Sequence, residues 1–231
     1  MEDNDLSGGS VSGMAELPPV PSKPRLRGVF HQWACACTVP LGLVLVSVAG
    51  TARARIALSV YALSLMGLFG ASALYHRTNW RSVTARDWIR RLDHSMIFVL
   101  IAGSYTPFAM LVLHGPLAIA ILVAVWTGAL LGVAFNLMWK DAPTWLRVTL
   151  YVCLGWVVVA ALPQLGDAIG IGGLTLLGLG GVLYTLGAVV YAVKRPDPVP
   201  SVFGYHEVFH TLVIAAAALQ CAVIAFWIIP A

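Results

Sequence analysis

Apolar runs of about twenty residues, the length a helix needs to cross a bilayer, recur along this chain. They lie at 33–50, 55–75, 92–113, 116–138, 146–163, 171–193 and 204–228. A backbone placed in hydrocarbon must satisfy its own hydrogen bonds, so runs of this length become helices. The chain therefore reads as an all-α, multi-pass membrane protein built as a bundle of seven transmembrane helices. Only 10% of its residues are charged and 59% are hydrophobic, against about 25% charged in soluble domains. That deficit excludes a water-soluble domain with a large core.

The basic residues orient the bundle. Lys23, Arg25 and Arg27 precede the first run, and Arg77, Arg81, Arg86, Arg90 and Arg91 lie between the second and third. Lys140 and Arg147 separate the fourth from the fifth, and Lys194 and Arg195 the sixth from the seventh. With seven passes all four groups share one side, and Arg53 and Arg55 alone remain on the other. Lys and Arg concentrate on cytoplasmic loops, which predicts a cytoplasmic N-terminus and an external C-terminus in the cell membrane. The formal charge of +4 reflects this topology, and no nucleic-acid partner is expected. Trp33, Trp80, Trp88, Trp139, Trp145 and Trp227 fall near run boundaries, as interfacial aromatics do, whereas Trp126 and Trp156 sit deeper, as packing residues.

Residues 1–24 are acidic, then Gly/Ser-rich, then Pro-rich, and read as a disordered tail before a single transmembrane domain at 25–231. Basic residues, an apolar stretch and Ala49–Ala54 imitate a signal peptide with its cleavage site. The long tail ahead of the basic residues argues against cleavage. The glycines of 171–193 suit close helix packing rather than a nucleotide loop. Pro107 must free one backbone carbonyl and bend its helix. Cys35 and Cys37 point away from each other, and the four cysteines read as small buried side chains.

Ionisable residues inside the runs are few, and such residues mark function. His206 and His210 are four apart and share one helix face with Glu207 between them. His76 closes the second run with Ser72 one turn deeper, and Asp93 opens the third. The topology, drawn from Lys and Arg alone, brings all three segments to the cytoplasmic leaflet. Three imidazoles and an open position make up a catalytic zinc site, and His76, His206 and His210 can supply them. Asp93 is then a candidate to bind the metal's water, and Ser72 to hold that water or a ligand. His94 lies off the face of Asp93 and reads as a residue that packs or points to the interface, while His31 and His114 fall outside the runs and are assigned no role.

Ser72-x-x-x-His76, Leu92-Asp93-His94, Ala102-Gly103-Ser104-Tyr105-Thr106-Pro107 and Gly204-Tyr205-His206-Glu207-Val208-Phe209-His210 occur in that order on three helices. Together they resemble the hemolysin III family, part of the progestin and adipoQ receptor group of seven-helix membrane proteins, over residues 23 to 228. The resemblance implies zinc near the cytoplasmic helix ends, bound by His76, His206 and His210, with Asp93 and Ser72 positioning the zinc-bound water. Because receptor members of the group are associated with ceramide hydrolysis, it also implies a zinc-dependent hydrolase acting on a membrane lipid amide. Glu207 stands where some relatives carry an uncharged residue.

Three alternatives stay open. The family name implies a pore-forming or cytolytic protein. Zinc could instead tie helices together in a non-catalytic receptor or scaffold. His206-Glu207-x-x-His210 also matches the metalloprotease pattern, in which Glu207 would be the general base.

Overall fold

The computed structural model describes residues 23–229, so nearly all of the expected N-terminal tail at 1–24 lies outside the described residues. Among the described residues the regular structure is helical, with one isolated bridge between Val199 and Phe203. The α-helices are α1 (Val29–Ser47), α2 (Ala52–Arg77), α3 (Val83–Leu111), α4 (Gly115–Met138), α5 (Thr144–Gly155), α6 (Leu162–Val193) and α7 (Tyr205–Val223). A tight 3₁₀ stretch, Trp156–Ala161, joins α5 to α6, and a wider π turn, Ile224–Ile228, ends α7.

Six helical stretches among the described residues are long and apolar enough to cross a membrane. The fifth of these, Thr144–Val193, takes in both the 146–163 and the 171–193 runs. Helical hydrogen bonding is nearly continuous through it, but Gly170 breaks the helical conformation with φ 61° and ψ −175°. That backbone region is open essentially to glycine alone. Trp156 Nε1 donates to Thr185 Oγ1 (3.1 Å) across this break, so the segments before and after Gly170 meet at these two residues.

Local sequence explains the helix starts. Thr51 and Ser82 cap α2 and α3 by accepting from Ala54 N–H (3.1 Å) and Ala85 N–H (3.3 Å), which satisfies amides that have no helical acceptor. At α7, Asp197 Oδ1 accepts Tyr205 N–H (2.8 Å) and Glu207 Oε2 accepts Gly204 N–H (2.9 Å). Several helices outrun their apolar stretches: α1 begins at Val29 and α3 at Val83. Hydropathy marks where a helix is dry, while the cap marks where it begins.

Helix α1 packs on α2, α2 on α3, α3 on α4 and α6 on α7, and α1 also touches α7. The two most buried stretches are α2 and α3, and they contribute Leu58, Tyr61, Leu65, Phe98 and Ala102 to the apolar core. Large apolar side chains cover the outside, among them Leu43 (69% exposed), Ile119 (67%) and Leu130 (67%). Such a surface suits lipid, not water. Trp33, Trp88, Trp139 and Trp145 are also exposed, whereas Trp126 is tied inward to Thr106 Oγ1 (3.1 Å).

Four of the α6 glycines fall into two groups. A Cβ at Gly180 would touch the Ala216 carbonyl and one at Gly187 would touch Leu212 and Phe209, which is the close helix packing expected. Gly178 and Gly181 face open space and line a cavity. Pro107 is buried inside α3, which continues to Leu111. None of the cysteines is bridged, and only Cys221 is buried. Cys37 and Cys153 lie on the outer surface, contrary to the expected burial, because they occupy helix faces turned toward lipid.

Gly170→Ala should cost about 1–3 kcal/mol of stability, because its backbone region is strained for any residue with a Cβ. Gly178→Ala, with open space and no positive φ, should be neutral. Thermal unfolding of both variants in detergent checks this pair.

Candidate metal centre

The C-terminal turn of α2, the N-terminal half of α3 and the first turns of α7 meet at one end of the bundle. His76, Asp93, His206 and His210 all converge there, each less than a tenth exposed. The ligand atoms of His76, His206 and His210 lie within 4.8 Å of one another. His206 and His210 share a face because they are one helical turn apart, and their ring centroids are 4.4 Å apart. His76 Nε2 approaches His206 Nε2 to 3.0 Å. Two bare lone pairs would repel at that distance, so the nitrogens share either a proton or a cation.

The donor set fits a metal ion. Zn–N bonds of about 2.0–2.1 Å in a tetrahedron place neighbouring donor nitrogens about 3.3 Å apart, close to the 3.0 Å between His76 and His206. The three histidines could therefore hold a metal ion, and neutral imidazoles accept several divalent metals.

Around the triad stand the other expected residues. Asp93 Oδ2 is 3.8 Å from His76 Nε2. Ser72 is buried one turn before His76, and its hydroxyl has no hydrogen-bond partner among the described residues. Both Ser72 and Asp93 line a cavity of about 280 Å³, as do His206 and His210. Away from this polar end the walls are mainly apolar, including Leu68, Phe108, Leu165 and Val213.

The structure adds residues that the sequence did not single out. His31, left without a role, is 3% exposed and lies in the first turn of α1. Its ring stacks on His210 with centroids 3.7 Å apart and planes 12° off parallel, and it lines the same cavity. It was missed because the helix carrying it begins ahead of the apolar run. His94 also borders the cavity, where Arg147 Nη1 donates to its Nδ1 (2.9 Å). A guanidinium only donates, so Nδ1 must be the acceptor. His114 precedes α4, at the opposite end of α3 from Asp93, and takes no part.

Glu207 is fully buried yet does not line the cavity. Arg27 Nε donates to its Oε1 (2.5 Å), and Gly204 N–H to its Oε2 (2.9 Å). Both oxygens are thus engaged away from the imidazoles, which argues against Glu207 as the base of the protease pattern. Nearby, Lys23 donates to the His76 carbonyl oxygen. Burial, followed by the charges of Arg77, Arg27 and Arg86, lowers the Lys23 ammonium below its ordinary range.

Comparison with known proteins agrees with the motifs that the structure gathers. The family model described as Haemolysin-III related matches residues 20–221, most of the chain. The chain belongs to this family. The Hemolysin-3 protein of Bacillus cereus is 30% identical over 205 residues, which cover 87% of this chain and 90% of that protein. The Hemolysin-3 homolog of Bacillus subtilis (strain 168) is 31% identical over 178 residues, covering 77% and 80% respectively. A more distant relative is the human monocyte to macrophage differentiation factor, 24% identical over 212 residues, with 87% of this chain and 86% of that protein covered. The membership inferred from the motifs therefore holds, and this haemolysin-III related chain is a membrane protein.

Elemental mass spectrometry of gently purified protein should find about one divalent metal ion per chain, as a single three-histidine site requires. His76→Ala, His206→Ala and His210→Ala should each lose it, whereas His114→Ala should keep it.

Proposed function

We propose that this chain is a seven-pass membrane protein with its N-terminus in the cytoplasm and its C-terminus outside, acting as a zinc-dependent hydrolase of lipid amides in the cell membrane. The pass count is supported by the break at Gly170 and the Trp156–Thr185 bond, which suit a reversal between 146–163 and 171–193. The orientation is supported by the Lys and Arg distribution.

One observation carries the hydrolase reading: His206 and His210 line the polar end of an apolar cavity together with Ser72 and Asp93, and His76 completes the cluster of three imidazoles beside it. His76, His206 and His210 would hold the ion. Zinc in such a site supplies a Lewis acid, lowering the pKa of bound water to about 7 and polarising a carbonyl.

The remaining work falls to the protein. The Leu and Phe walls accept an acyl chain and keep bulk water out. Asp93, beside His76, is placed to take a proton from the attacking water and return it to the departing nitrogen. Ser72, buried with a free hydroxyl, is placed to orient that water or the amide carbonyl. Hydrolysis breaks the amide C–N bond, adds the water's hydroxyl to the acyl carbon and gives the proton to the amine. The products are a fatty acid and a free amine.

The name of the Bacillus cereus relative favours a second reading, that of a pore-forming or cytolytic protein. Leakage from reconstituted vesicles that persists in His210→Ala would support it over hydrolysis.

The decisive test is turnover of a panel of lipid amides, ceramide among them, by purified zinc-loaded protein. Asp93→Ala should keep zinc and lose about 10²–10⁴-fold in rate, the usual worth of a general acid–base group. A zinc-loaded Asp93→Ala protein with wild-type turnover would overturn the mechanism.

A further inference from the structure

Residues 23–28, just ahead of α1, cross the same end of the bundle as the imidazoles. Arg25 N–H donates to the Ser201 carbonyl (3.0 Å) and Leu26 N–H to the Val202 carbonyl (3.2 Å). These bonds lay the segment along the loop that feeds α7. From that line, three contacts reach the helices bearing the candidate ligands. Lys23 donates to the backbone carbonyl of His76 itself. Gly28, at φ +77°, lies so close to His76 that a Cβ there would collide with the His76 Cβ. Arg27 pairs with Glu207, the residue that follows His206 and sits one turn before Thr211.

The Arg27–Glu207 contact is more than a surface ion pair. Glu207 is 0% exposed, and a buried carboxylate is tolerated only when paired and hydrogen-bonded. Its position in the first turn of α7 fixes the rotation of that turn, and so the direction in which His206 and His210 project. Lys23 and Gly28 do the same for His76 from the α2 side. A cation that served only to orient the chain in the membrane would need none of these contacts.

We propose that Lys23–Gly28 is a clamp that sets the geometry of the metal site, with Lys23 and Arg27 as positioning residues, each gripping one of the two ligand-bearing helices. The inference rests on the metal reading of the three histidines. It extends that reading by assigning work to a segment with no ligand of its own. Groups outside the coordination sphere typically change metal affinity by about 10–100-fold when removed.

The test uses the full chain in detergent, loaded with zinc or with cobalt, well below its melting temperature. Zinc release to a chromogenic chelator and the visible spectrum of bound cobalt are compared for wild type, Arg27→Gln, Arg27→Lys, Lys23→Met and the distant control Arg53→Gln. Arg27→Gln and Lys23→Met should each release zinc about 10-fold faster or more, with an altered cobalt spectrum. Arg27→Lys should recover part of the loss, and Arg53→Gln should match wild type. Release at the wild-type rate with an unchanged cobalt spectrum in both Arg27→Gln and Lys23→Met overturns the clamp, while metal binding itself stands. Should Arg27→Gln fail to fold because Glu207 is stranded, Lys23→Met decides alone, since it strands no buried charge. A folded wild type that takes up neither metal overturns the metal reading, and the clamp with it.

Discussion

A polar group in hydrocarbon must find its partner within the protein, and this constraint orders everything else in the molecule. It forces the backbone into helices and makes each interior ionisable side chain costly unless it is paired. The outer faces of α1 and α4 carry Leu43, Ile119 and Leu130 with nothing polar to satisfy. The buried carboxylates and imidazoles are instead gathered at one end, where His76, Asp93, His206, His210 and Glu207 are all buried within reach of one another's helices. Concentrating them lets each serve as a neighbour's partner.

That end of the bundle has two layers with different chemistry. The inner layer is a cluster of imidazoles with Ser72 and Asp93 beside it, and His206, His210, Ser72 and Asp93 face an apolar cavity. Its unpaired atoms, the Ser72 hydroxyl and His210 Nδ1 among them, suit a site that receives something. The outer layer is closed. Arg27 on Glu207, Lys23 on the His76 carbonyl and Asp197 on the Tyr205 amide leave few donors idle there. A satisfied shell around an unsatisfied centre is how a rigid site is held ready for a ligand.

Much of this was legible in the residues. The apolar runs anticipated the helices, and the topology drawn from Lys and Arg anticipated that Ser72, His76, Asp93, His206 and His210 meet at one end. Helix periodicity and membrane depth are local properties, so a one-dimensional reading reaches them. His31 escaped because hydropathy locates the dry part of a helix and not its first turn. Glu207 resembled a protease base in the linear pattern, and only its bonds to Arg27 and Gly204 show its carboxylate engaged elsewhere.

The sequence by itself determined the all-helical membrane character, the family and the end of the bundle at which the ionisable residues collect. The first follows from hydrophobicity, the second from the likeness of the motifs to those of known relatives, and the third from the distribution of Lys and Arg. Tertiary structure alone decided that His31 stacks on His210, that Glu207 pairs with a residue 180 positions away and that Gly180 and Gly187 approach α7 while Gly178 and Gly181 meet open space. Each depends on how helices are rotated and which neighbours they meet, and that is set by packing across the bundle rather than by any local stretch of chain.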